Sequence, residues 1–145
     1  LPLINGLYAS VIYPKVNILT KDARDMLATK VHFRDTIKQG GNLGGFIIGL
    51  YNSDLELIKR SLKDVLVEPQ RAKLIPHFYE IQEAALEAGA LGCSISGAGP
   101  SIFALSSNSL DAENVGEAMK KIYKKAKIEY NLYVSKINQE GAVKY

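Results

Sequence analysis

Residues 92–106 read GCSISGAGPSIFALS, and within them SGAGP combines two glycines, a serine and a proline inside an apolar run. Glycines let a backbone turn sharply, so that successive N–H groups can face one point and an anion can approach without meeting a Cβ. Ser94, Ser96 and Ser101 add hydroxyl donors beside Gly97, Ala98, Gly99 and Pro100. The same residues also suit a plain hairpin turn between two buried strands, where small side chains simply fit. The stretch is neither a Walker loop nor a dinucleotide fingerprint, since GxxxxGK[ST] and GxGxxG are both missing from the sequence. Arg24 and Arg71 are the cations placed to do chemistry. If the two converged, their planar guanidinium groups would suit a carboxylate or a phosphate. Taken singly, Arg24 reads better as a solvated surface side chain balanced by Asp22 and Asp25. Arg71 lies in an irregular segment between Pro69 and Pro76, where its angle can be fixed.

Other reactive residue types offer less. His32 and His77 have no partner at metal-ligand spacing, and His77 directly follows Pro76 at a helix start. Cys93, the single cysteine, excludes an internal disulfide and a cysteine-cluster metal site, and reads as a small core residue. The basic run KKIYKKAK at 120–127 reads as the solvated face of an amphipathic helix. No catalytic residue and no metal ligand can be assigned from these patterns.

The elements that must position these residues follow from periodicity. Residues 6–19 read as two short strands, or as one bent at Pro14, with the proline favouring a sheet edge or a bulge. Thr20 is placed to cap a helix over KDARDMLA. In 31–51 the apolar residues recur at helical intervals, yet Gly40, Gly41, Gly44 and Gly45 would each cost about 1 kcal/mol relative to Ala. Either a loop splits two helices there or the glycines admit a close neighbour; the spacing favours helices with close packing. Further helices are expected over 54–63, beginning at Asp54, and over 76–88, with Pro76 in the first turn and Gly89 as the stop. EPQRAKLIP reads as irregular, Ser101–Leu105 as a strand and 110–127 as a helix with its acids early and its lysines late. Tyr130–Ile137 and Ala142–Tyr145 read as terminal strands joined by NQEG. Strands and helices without strict alternation imply an α+β fold, an antiparallel sheet with helices packed on it.

Composition sets the outer bounds. The 145 residues are 47% hydrophobic and 23% charged, which suits one domain with its own core. A net charge of +3 is too small and too local to mark a nucleic-acid surface. No apolar run approaches the roughly 18 residues that span a bilayer. The opening LPLINGLYASV carries neither an initiator Met nor a signal-peptide pattern, and reads as an internal stretch of a longer chain.

EPQRAKLIPHF, AALEAGALGCSISGAGPSIFAL and VNILTKDARDML together resemble the C-terminal half of homoserine kinases, members of the GHMP small-molecule kinase superfamily. The similarity runs from about residue 6 to 145. SGAGP resembles the superfamily's third motif, in which some members carry a serine where this chain has Ala98. The resemblance implies a ferredoxin-like C-terminal domain over residues 1–145, with the ATP-binding N-terminal domain and its glycine/serine-rich loop outside this chain. It also implies that Arg24 and Arg71 grip the substrate carboxylate with Thr20 nearby in the substrate site, and that Ser94, Ser96, Gly97, Ala98, Gly99, Pro100 and Ser101 form the glycine loop near the phosphate site. The implied reaction moves the ATP γ-phosphoryl group to the hydroxyl of L-homoserine, with Mg²⁺, in cytoplasmic threonine biosynthesis. On this basis the chain alone is expected to hold neither ATP nor Mg²⁺ and to be inactive. A homodimer is compatible with the resemblance, using an exposed edge near Pro14 or the glycine-rich helices; a membrane or nucleic-acid partner is not implied. The competing readings are another GHMP kinase and a free-standing ferredoxin-like module that binds an amino acid for regulation.

Overall fold

A computed structural model describes residue 2, residues 4–138 and residues 140–141. The expected terminal strand at Ala142–Tyr145 lies outside the described residues. Among the described residues four strands, β1 (Tyr8–Pro14), β2 (Gly92–Ile95), β3 (Ile102–Ser106) and β4 (Tyr130–Lys136), form one antiparallel sheet in the order β2-β3-β1-β4. Among the described residues six α-helices accompany them: α1 (Thr20–Asp25), α2 (Phe33–Asn52), α3 (Leu55–Ser61), α4 (Glu68–Arg71), α5 (Phe78–Glu87) and α6 (Ser109–Ala126). The strand order, with α5 before β2 and α6 between β3 and β4, is the ferredoxin-like arrangement; α1–α4 are inserted between β1 and α5. The expected α+β class is therefore what forms.

The core lies between one sheet face and the layer made by α5 and α6. Side chains alternate across a strand, so Ser10, Ile12 and Pro14 of β1 and Ile102, Ala104 and Ser106 of β3 are buried toward the helices. Phe78, Ile81 and Ala85 of α5 meet Val115, Met119 and Tyr123 of α6 over that face. The Ser10 hydroxyl donates to the Ala112 carbonyl at 2.6 Å, tying β1 to α6 inside the core. Among the described residues, the Ser106 and Tyr123 hydroxyls are buried without a hydrogen-bond partner. The lysines of 120–127 lie on the outer side of α6 while Tyr123 points inward, as expected of a solvated face.

Several sequence expectations are corrected. β1 is one unbroken strand in the middle of the sheet, paired on both sides, and not an edge. Pro14 is tolerated because it is the strand's last residue: β3 has ended opposite Ile12, and only β4 still runs beside it. Pro14 is also buried, so it does not itself present an exposed edge. Thr20 does not cap its helix. Leu19 occupies the capping position, Thr20 is the first helical residue, and α1 ends at Asp25. Pro76 lies before α5, whose N-terminal flank is His77 in the left-handed region at φ 57°.

The glycine-rich segment settles as a single 20-residue helix, α2. Close packing explains two of its glycines: a Cβ at Gly45 would meet the Ser61 side chain, and one at Gly49 would come within 2.8 Å of Ile58. Gly40, Gly41 and Gly44 have no such neighbour. Asp54 does begin α3, its carboxylate accepting from the Leu57 N–H at 2.9 Å. EPQRAKLIP is not irregular but forms α4 followed by a 3₁₀ turn over Ala72–Leu74, with Pro69 in the first turn of α4.

Candidate phosphate and substrate site

Topology brings the candidate residues to one end of the sheet. β1 leaves the sheet at Pro14 and enters α1 six residues later, and the hairpin joining β2 to β3 turns at the same end, beyond the Ile95–Ile102 pair. SGAGP is thus a hairpin turn, as one reading held, and its geometry is also that of an open loop. Gly97 and Gly99 take φ +61° and +85°, values that disfavour any side chain. A Cβ on Gly97 would meet nothing within 4 Å, so that side of the loop is open, whereas Gly99 packs against Ile75.

The loop spends some of its backbone donors and keeps others. The Ser96 N–H donates to the Ser101 carbonyl at 2.8 Å and the Gly99 N–H to the Ser96 carbonyl at 3.1 Å. The N–H groups of Gly97 and Ala98 have no acceptor among the described residues. Two successive unspent amides in a glycine turn are the elements of an anion-binding nest. The hydroxyls of Ser96 and Ser101 are likewise without a protein partner among the described residues, and Ser96 is exposed.

Arg71 joins this loop to α1. Its Nε donates to the Ala23 carbonyl at 3.1 Å and its Nη1 to the Gly97 carbonyl at 3.0 Å, leaving Nη2 without a protein acceptor among the described residues. A planar trans peptide points its C=O and N–H in opposite directions. Holding the Gly97 oxygen therefore fixes the Ala98 N–H to the far side of that peptide. Arg24 follows Ala23 on α1 and is exposed, and among the described residues no carboxylate lies within ion-pair distance of it; Asp22 and Asp25 make no ion pair with it. Thr20, one turn before Arg24, is exposed, and its hydroxyl has no partner among the described residues.

Sequence reasoning missed the residues that hold this arrangement. Gln70 accepts from the Ala28 N–H at 2.7 Å, so Gln70 and Arg71 grip the α1 segment at two points. Glu68 accepts from the Ser94 hydroxyl through Oε2 and from Gln82 Nε2 at 3.0 Å through Oε1. Gln82 also donates to the Cys93 carbonyl at 2.8 Å. The density of polar residues in EPQR was the available signal, but their partners lie far along the chain. Cys93 itself is buried, and burial, with the Glu68 carboxylate adding to it, pushes the thiol up to about 12. It is a core residue, not a nucleophile. Among the described residues no group of three or more His, Cys, Asp or Glu side chains could hold a metal ion, and no helix is long and apolar enough to cross a membrane.

A family model described as GHMP kinases C terminal matches residues 43–125. Among curated proteins, the chain is 45% identical over 144 residues to the homoserine kinase of Chlorobium phaeobacteroides (strain BS1), covering 98% of this chain and 45% of that protein. It is 37% identical over 135 residues to the homoserine kinase of Xylella fastidiosa (strain M12), covering 93% and 42%. Among solved structures, the homoserine kinase of Cytophaga hutchinsonii superposes with a TM-score of 0.94 at 49% identity, over 96% of this chain and 44% of that one. The mevalonate kinase of L. major, at 18% identity and a TM-score of 0.68 over 92% and 43%, shares the fold alone. The chain thus spans less than half the length of the relatives it matches.

Proposed function

The chain belongs to the GHMP kinase C-terminal family, and on that footing we propose that it is the substrate-side domain of a homoserine kinase. The observation that carries this reading is the bridge made by Arg71, whose guanidinium holds Ala23 beside Arg24 and Gly97 in the glycine loop while keeping Nη2 unspent. Arg71 and Arg24 take the carboxylate of L-homoserine, with the Thr20 hydroxyl beside them. The loop from Ser96 through Gly97, Ala98, Gly99 and Pro100 to Ser101 faces the transferred phosphate, with Ser94 at its stem. The free amides of Gly97 and Ala98, together with the Ser96 and Ser101 hydroxyls, stabilise charge that builds on that group.

ATP supplies the γ-phosphoryl group. The open side of Gly97 and the unspent loop amides fit a phosphate. The described residues do not fit magnesium, for want of a ligand cluster, and no step here runs through it. This chain's part is positioning. The arginines orient homoserine so that its side-chain hydroxyl lies near the loop, which lowers the entropic part of the barrier. In this reading the nucleotide-binding domain, the magnesium and the remaining catalytic groups belong to the rest of a protein of the relatives' length. That protein works in the cytoplasm, in threonine biosynthesis, and a homodimer is compatible with it.

The test is steady-state kinetics on that longer enzyme. Arg71→Ala should raise the homoserine KM by about 10- to 100-fold, the usual range for losing one charge-assisted contact to a carboxylate. The 145-residue chain alone should form no homoserine-dependent ADP. An unchanged homoserine KM in the variant, or turnover by the isolated chain, overturns the assignment.

A further inference from the structure

Arg71 secures the tip of the glycine loop at Gly97, but a hairpin turn held at its tip alone can still rock on its stem. The stem is held by the other end of the same short helix. Glu68, the first residue of α4, accepts from the Ser94 hydroxyl in β2 and from Gln82 in α5, and Gln82 in turn donates to the Cys93 carbonyl. Glu68 and Arg71 are three residues apart and share a helix face. Their hairpin partners, Ser94 and Gly97, are also three residues apart, at the stem and the tip.

We propose that Glu68 is a positioning residue for the glycine loop, and that Ser94 serves the phosphate site through Glu68 and not by touching phosphate. This rests on the reading of the loop as phosphate-facing. Three observations support it. The Ser94 proton is committed to a carboxylate, the strongest acceptor in its surroundings. Both Glu68 oxygens are engaged, one on the strand and one on α5, so the carboxylate fixes the strand against the helical layer. The hydroxyls that flank the turn, those of Ser96 and Ser101, are the ones left without protein partners among the described residues. A glutamine at position 68 puts an NH₂ where one of the two carboxylate oxygens stands, so it cannot accept at both of the places where Ser94 and Gln82 now donate.

The experiment compares Glu68→Gln, Ser94→Ala, Ser94→Thr and the double variant Glu68→Gln/Ser94→Ala in the longer enzyme. Glu68→Gln and Ser94→Ala should each raise the ATP KM or lower kcat by about tenfold and leave the homoserine KM within about twofold. Ser94→Thr, which keeps the hydroxyl, should recover most of the loss. The double variant should be no worse than the poorer single variant, because both changes break one connection. Multiplying losses in the double variant would mean that Ser94 acts on the phosphate directly, and would overturn the proposal. So would equal rises in both KM values, which mark a general structural role, or no change in either. Wild-type enzyme lacking homoserine-dependent ADP formation would instead sink the kinase reading. In that event hydrogen exchange decides the positioning role: the amides of residues 96–99 should exchange about tenfold faster in Glu68→Gln and Ser94→Ala, and unchanged exchange overturns it.

Discussion

The two helical layers of this domain are built on opposite terms. α6 puts Ala112, Val115, Gly116, Met119 and Tyr123 out of water against the sheet. The longer α2 buries only Gly49 and Leu50, and leaves Phe33, Ile37 and Tyr51 exposed to 78%, 60% and 64%. α6 is held by area. α2 is held by its hairpin with α3, by a small cluster of Leu7, Leu50 and Ile58, and by polar staples. Asn42 donates to the Lys63 carbonyl at 2.9 Å, and Gln39 accepts from the Val65 N–H at 2.9 Å. Amphipathic spacing in a sequence thus announces a helix in both cases without saying how much of its apolar face is covered.

The sharpest way to break this contrast is truncation on each side. Met119→Ala should cost about 2–5 kcal/mol, the range for emptying a fully buried site, whereas Phe33→Ala should stay within about 0.5 kcal/mol. Denaturant midpoints at constant m-value measure both, and comparable losses would dissolve the distinction. A second probe belongs to the core side only. The folded state raises the Cys93 thiol from 9.0 to about 12, so it favours the protonated form. The stability this contributes is complete below pH 9 and is lost as pH rises from 9 toward 12, because the unfolded thiol ionises first. Denaturation in steps across that range should show a fall that Cys93→Ala reduces, the remainder coming from the Tyr123 hydroxyl, which burial also pushes up. The smallest effects separate glycines within α2. Gly49→Ala should destabilise by about 1–3 kcal/mol, since the new methyl meets the Ile58 backbone as well as its side chain. Gly44→Ala meets nothing and should stabilise by about 0.5–1 kcal/mol through helix propensity. Thermal melts of the two variants moving in the same direction would contradict the packing described for α2.

What the sequence made legible was local. The Asp54 cap, the Gly89 stop, the amphipathic α6 and the buried Cys93 each follow from a few neighbouring residues, and each is found as read. The misreadings are of properties that a short window does not contain. Pro14 suggested an edge, but whether a strand is central depends on partners near residues 102 and 130, and a proline is harmless once one partner strand has ended. Thr20 looked like a cap, yet the chain begins the helix one residue earlier than the hydroxyl needs. At the candidate site the glycine loop and the two arginines were visible as residue types. The work of Glu68, Gln70 and Gln82 was not, because each acts on a residue 11 to 42 positions away.

The central place of β1 also has a consequence in time. Tyr8 pairs with Ser106 on one side and with Lys136 on the other. A ribosome making the chain from its N-terminus therefore produces the middle strand first and must add roughly a hundred residues before either neighbour exists. Until then the hydrophobic Val11 and Ile12 have neither of the strands that flank them in the folded sheet. That is the stretch a chaperone has most reason to cover, and the last join of the sheet is the one that closes on β4.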